Sequence, residues 1–172
     1  MDLHQLSGTP PSLRDLETGL DGKLKIADPG DLDYIMAIAE GAYARGSWDY
    51  AKAKDYLLAC ILSQAQGEHR VILGQSSVGI LQVFEEPWNP GVRLGYIRFL
   101  FSLPHVKRTL EPFRVLKSLV EWAQGLGVVK IDYDSDPENP VNLAPFMKKL
   151  GAIERTGYTL YLEPSHEWIE TT

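Results

Sequence analysis

Few places in this chain bring together side chains that could do chemistry. Glu85 and Glu86 stand side by side at the end of an apolar run, where a carboxylate can take up a proton. The simpler reading of such a pair is a solvated strand end. Asp132, Asp134, Asp136 and Glu138 alternate, which puts four carboxylates on one face of an extended segment. A calcium loop counted from Asp132 would need Gly at its sixth position and a bidentate Glu at its twelfth. Pro137 and Leu143 stand there instead, so a solvated loop lip is expected and no metal site. The four histidines, His4, His69, His105 and His166, lack ligand spacing and read as surface or turn residues. Cys60 lies in the apolar run Leu57-Leu58-Ala59-Cys60-Ile61-Leu62, the setting of a buried, inert thiol. Lys107, Arg108, Arg114 and Lys117 form the one local basic cluster, at the start of a helix. Neither a Gly-x-Ser-x-Gly elbow nor a Gly-x-x-x-x-Gly-Lys phosphate loop is present.

Bulk properties narrow the classes. A chain of 172 residues suits one domain. An apolar fraction of 44% and a charged fraction of 23% are those of a globular protein. The formal charge of −6, with its cations scattered, argues against a nucleic-acid partner, since that binding needs a basic surface. No apolar stretch reaches membrane-span length and no basic-then-apolar leader opens the chain, so a soluble protein in a reducing cytoplasm is expected.

The elements that must position these residues follow from periodicity. Residues 1–23 read as an extended arm broken by glycines and prolines. A short strand spans Leu24–Ala27, and Asp28-Pro29-Gly30-Asp31 turns into a helix carrying Leu32, Ile35, Ile38, Ala39 and Ala42. A second helix runs from Tyr50 to Gln66 with Leu57, Leu58, Ile61 and Leu62 inward. Strands are expected at His69–Leu73, Val78–Glu85 and Arg93–Leu103, forming an antiparallel meander. A helix over Pro112–Gly125, a strand over Val128–Tyr133, a helix over Val141–Leu150 and a strand over Tyr158–Leu162 complete the domain, 24–162. An acidic tail, 163–172, follows. The order is β-α-α-β-β-β-α-β-α-β, an α/β (α+β) mixed sheet with helices on both faces.

That order resembles the GNAT N-acetyltransferase superfamily, and local sequence adds to the likeness. Leu100-Phe101-Ser102-Leu103-Pro104 resembles the end of the family's fourth strand, and Leu116, Leu119 and Val120 the ridge of the helix after it. Asn139 and Phe146-Met147-Lys148-Lys149-Leu150-Gly151 resemble a later segment of the family. The resemblance implies acetyl-coenzyme A as cofactor, with Leu103, Lys107, Arg108, Thr109, Arg114 and Asn139 as the residues that would hold it. It also implies Glu85 or Glu86 as the catalytic base. The departures are equally specific. Where the family's loop has three glycines, this chain has Arg108, Leu110 and Pro112, and Glu111 adds a negative charge beside a phosphate site. Where the family has a tyrosine as general acid, this chain has Met147, which has no proton to donate. The cluster around Lys107 would then serve phosphates as point charges, or else be a solubilising helix face.

Two readings follow. Loss of the loop glycines and the tyrosine together points to a non-catalytic structural or assembly component. The long arm and the Trp88 hairpin turn resemble phage and prophage members, so incorporation in a virion is one expected setting. Arms rich in Gly, Pro and polar residues fray unless tied down, so protein partners or further copies of the chain are expected to order them. The alternative is an active N-acetyltransferase moving acetyl from acetyl-coenzyme A to an amine.

Overall fold

The computed structural model describes residues 23–42, 49–106, 109–133, 144–151 and 153. The expected arm, the strand at Tyr158–Leu162, the tail, and Lys107, Arg108 and Asn139 lie outside the described residues.

Strand β1 (Lys25–Ile26) leads into helix α1 (Leu32–Ala42) through a capped turn. Asp28 accepts from the Gly30 amide at 2.8 Å and Asp31 accepts from the Asp28 amide at 2.9 Å, a reciprocal cap that satisfies helix-start donors. Helix α2 (Tyr50–Leu62) starts at Asp49, whose carboxylate accepts from the Lys52 amide at 3.1 Å. It buries Leu57, Cys60 and Ile61 and then tightens to a 3₁₀ turn over Ser63–Gln66. Leu62, expected inward, is 57% exposed: at 100° per residue it falls outside the stripe set by Leu57, Cys60 and Ile61.

Strands β2 (His69–Leu73), β3 (Ser77–Glu85) and β4 (Arg93–Ser102) form the expected meander. Helix α3 (Glu111–Gly125) carries the chain across to β5 (Val128–Asp132), which pairs parallel to β4. Helix α4 (Ala144–Lys149) follows. The five strands lie in the order β1-β2-β3-β4-β5. Alternation along the strands divides the core in two. Val71, Leu73, Val78, Ile80 and Phe101 pack under α1 and α2. Ile72, Leu81, Val83, Ile97 and Leu100 pack under α3 with Val115, Leu116, Leu119 and Ala123. Helix α3 sits flush on β3 because Gly79 has no side chain; a Cβ there would lie 2.7 Å from Val115 and 2.8 Å from Leu119. No helix among the described residues is long and apolar enough to cross a membrane.

Candidate functional site

Two irregularities in β4 shape the site. The first is a bulge. Leu81 pairs with Ile97 and Ile80 with Phe99, so Arg98 is an extra residue in β4. Such an insertion bends the strand and re-aims its side chains. Tyr96, Arg98 and Phe99 consequently share the α1–α2 face, while Ile97 and Leu100 remain under α3. The second is a split. Strand β5 pairs with β4 only from Arg93 to Tyr96. From Ile97 to Ser102, β4 has no parallel neighbour among the described residues, which leave its outer edge open. The Leu103 amide donates to Ser76 on the β3 side at 2.9 Å. By alternation, the backbone groups of Leu100 and Ser102 point to the open edge. Such an edge can pair with an extended, amide-containing chain.

The loop beyond the strand is less open. Leu103 is buried, its amide is used by Ser76, and its carbonyl accepts from the Val106 amide at 3.1 Å. The Thr109 amide donates to Val106 O at 2.9 Å, and the Thr109 hydroxyl lies 3.3 Å from the Glu111 amide. Pro112 has no amide hydrogen, and Leu110 is 67% exposed at the helix start. Glu111 has a structural partner: its Oε1 accepts from the Ser76 amide at 2.7 Å, tying α3 to the β2–β3 turn. His105 Nε2 lies 3.3 Å from Ser76 Oγ on the same turn. Arg114 is exposed on the first turn of α3 with no carboxylate partner among the described residues, whereas Lys117 faces Glu121 at 3.6 Å. Glu85 pairs in register with Arg93 at the opposite end of β4, and its parity with Val83 places it on the α3 side. Glu86 follows it, its amide bound to Val92 O at 2.9 Å.

The α1–α2 face below the bulge carries a polar row that the sequence did not announce. Register aligns His69, Gln82 and Tyr96 across β2, β3 and β4. The Arg98 guanidinium lies 4.9 Å above the Tyr96 ring and donates through Nε to Gln82 Oε1 at 2.8 Å, with Nη2 on the same oxygen. His69 Nδ1 is 2.7 Å from Ser63 Oγ, which donates to Cys60 O at 3.1 Å. The Ser63 hydroxyl has one proton for two acceptors; where that proton goes to Cys60 O, Nδ1 carries the imidazole hydrogen and Nε2 keeps its lone pair. Burial holds the His69 pKa below its ordinary value, against the pull of Glu68, so the ring is neutral near pH 7. Tyr56, on α2, meets Phe99 edge-to-face at 6.0 Å, and burial pushes its hydroxyl up to about 12. Burial likewise raises the Cys60 thiol, which fits the inert role expected of it. His69 had no motif to mark it, because its neighbours come from cross-strand register and a helix end. Trp88, in the turn between β3 and β4, is 92% exposed.

By sequence, the chain matches neither a described family nor a curated protein. Solved structures do match its fold. A predicted acetyltransferase from Clostridium acetobutylicum, solved with acetyl-CoA, superposes with a TM-score of 0.65 at 18% identity over 82% of this chain and 95% of its own. The aminoglycoside antibiotic 6'-N-acetyltransferase of Acinetobacter haemolyticus gives 0.62 at 13%, over 84% and 99%. A GCN5-related N-acetyltransferase from Ralstonia eutropha JMP134 gives 0.60 at 15%, over 81% and 97%. At these identities what is shared is the fold.

Proposed function

We propose that this chain, which has the fold of the GNAT acetyltransferases, transfers an acetyl group from acetyl-coenzyme A to an amine. The observation that carries this reading is the split between β4 and β5 opening at the Arg98 bulge. Among the described residues this stretch of β4 is unpaired on one side, an arrangement that normally invites unwanted pairing unless a ligand occupies it. Among the structural neighbours, one is solved with acetyl-CoA and another with a CoA bisubstrate analogue.

The residues fit the coenzyme unevenly. The backbone of Leu100 and Ser102 suits its extended amide arm. For the phosphates, Lys107, Arg108 and Arg114 supply charge, and Thr109 a hydroxyl, in place of a glycine cradle. Acetyl-coenzyme A supplies an activated thioester carbonyl and a thiol leaving group. An open amide of β4 would polarise that carbonyl. His69 Nε2 would take the proton lost by the attacking amine. It lies two strands from β4, about 10 Å, so the transfer would run through ordered water. Tyr56, still protonated, is a hydroxyl donor beside the bulge, in the absence of a tyrosine at Met147. Glu85, on the opposite face and at the far end of the strand, is less well placed for that proton than His69.

A thermal titration with acetyl-coenzyme A, with free coenzyme A as control, tests the reading. Ligand at about one hundred times its dissociation constant should stabilise the fold by roughly 2.7 kcal/mol. His69→Gln should keep that shift while slowing acetyl transfer by about 10²-fold or more. No shift at millimolar coenzyme would leave the second reading, a protein-binding scaffold. That reading is favoured by the loop, where the amides of Leu103, Thr109 and Glu111 are already engaged and Pro112 offers none.

A further inference from the structure

The polar row below the bulge contains a cation with no carboxylate counter-charge among the described residues. On this side of the molecule three lysines meet carboxylates: Lys25 reaches Asp31 at 2.7 Å, Lys54 reaches Asp33 at 2.7 Å, and Lys52 reaches Asp49 at 3.4 Å. Arg98 meets an amide oxygen and an aromatic face, and no carboxylate lies within ion-pair distance of it among the described residues. Its neighbours are uncharged at neutral pH. Tyr56 and Cys60 keep their protons, and His69 is neutral. Glu68, the carboxylate beside His69, is exposed and makes no ion pair with the guanidinium.

The side chain is also held in one place. Two of its five N–H donors are spent on Gln82, and the Tyr96 ring supports its plane. Three donors remain, on an exposed guanidinium at the point where β4 parts from β5. A planar fork fixed in this way matches a carboxylate or phosphate in two-point geometry.

The geometry points to an acceptor amine that also carries an anionic group, a carboxylate or a phosphate, which Arg98 binds so as to hold the amine over the open edge of β4. This rests on the transferase reading above. It makes Arg98 a specificity-determining residue, and it places Gln82 and Tyr96 behind it as positioning residues.

The test uses matched amines that differ in the anion: phosphoethanolamine against ethanolamine, and β-alanine against β-alaninamide. Transfer is followed by release of the coenzyme thiol, and acetyl-coenzyme A binding by thermal shift. The anionic member of at least one pair should be preferred by about tenfold or more in kcat/KM, as for other hydrogen bonds to a charge. Arg98→Gln should abolish that preference while retaining the coenzyme shift, and Arg98→Lys should retain part of it. Equal use of both members in each pair, or an unchanged preference in Arg98→Gln, would overturn the inference with the transferase reading intact. If the coenzyme neither binds nor reacts, the transferase reading fails separately. The phosphoethanolamine shift measured without coenzyme then decides the anion site. A saturable shift that ethanolamine does not give and Arg98→Gln loses supports the site, and its absence removes it.

Discussion

The two faces of the sheet are built from the same strands and differ in how far their cores extend. Under α3 the core is continuous: Leu81, Val83, Ile97 and Leu100 meet Val115, Leu116 and Leu119, all of them buried. Under α1 and α2 the apolar layer runs from Leu73 and Val78 to Ile80 and then gives way to Gln82, Tyr96, Arg98 and His69. The bulge separates these two behaviours. One extra residue in β4 lets Ile97 stay in the closed core while Arg98 and Phe99 turn together toward the open face. Both faces carry a buried core, and only the α1–α2 face ends in a polar row at the bulge, as is common where a rigid scaffold carries a site.

The largest effect should come from the closed face. Leu119→Ala removes a side chain that is 0% exposed and should cost about 2–5 kcal/mol in denaturant unfolding. Arg98→Ala, on the open face, should stay within about 0.5 kcal/mol of wild type. Similar losses for both would erase the distinction. An intermediate effect is expected at the clasp between the faces and the loop. Glu111→Ala frees the Ser76 amide and should cost about 1.5–3 kcal/mol, with Glu111→Gln recovering part of it. A neutral Glu111→Ala would mean that the carboxylate does not hold α3 to the β2–β3 turn.

The smallest effect is a pH dependence at His69. Its folded pKa is depressed by burial below the ordinary 6.5, so folding favours the neutral ring. The associated stability is fully present above about 6.5 and is lost as pH falls below that value toward the folded pKa. Unfolding curves across this range should therefore show a decline that His69→Gln flattens. A decline of equal slope in the variant would assign it to other groups.

Much of the fold was legible from the chain. Helix-spaced apolar residues in Leu32–Ala42 and in the helix ending at Gly125, and strand-like runs around the 74–77 turn, each specify one local structure. Hydrogen bonding set the boundaries: the first strand is one residue shorter at each end, and the helix expected to reach Gln66 turns 3₁₀ after Leu62. The site was far less legible. In Tyr96-Ile97-Arg98-Phe99-Leu100 aromatic or aliphatic side chains occupy every position except Arg98, so alternation cannot reveal a bulge there. His69 read as a surface histidine because Ser63, Gln82 and Tyr96 join it through tertiary register alone. Glu111 read as an unwelcome charge beside phosphates because its partner, the Ser76 amide, lies 35 residues away. The loop after β4 could be read for what its backbone offers, since glycine, proline and leucine differ there.

Amide hydrogen exchange followed by NMR, with and without acetyl-coenzyme A, addresses the open edge of β4 directly. Binding should slow exchange at Leu100 and Ser102, whose groups face the split, and leave Leu103 little changed, since its amide already bonds to Ser76. Saturating coenzyme that leaves Leu100 and Ser102 exchanging as before would contradict the claim that this edge is where the acyl donor lies.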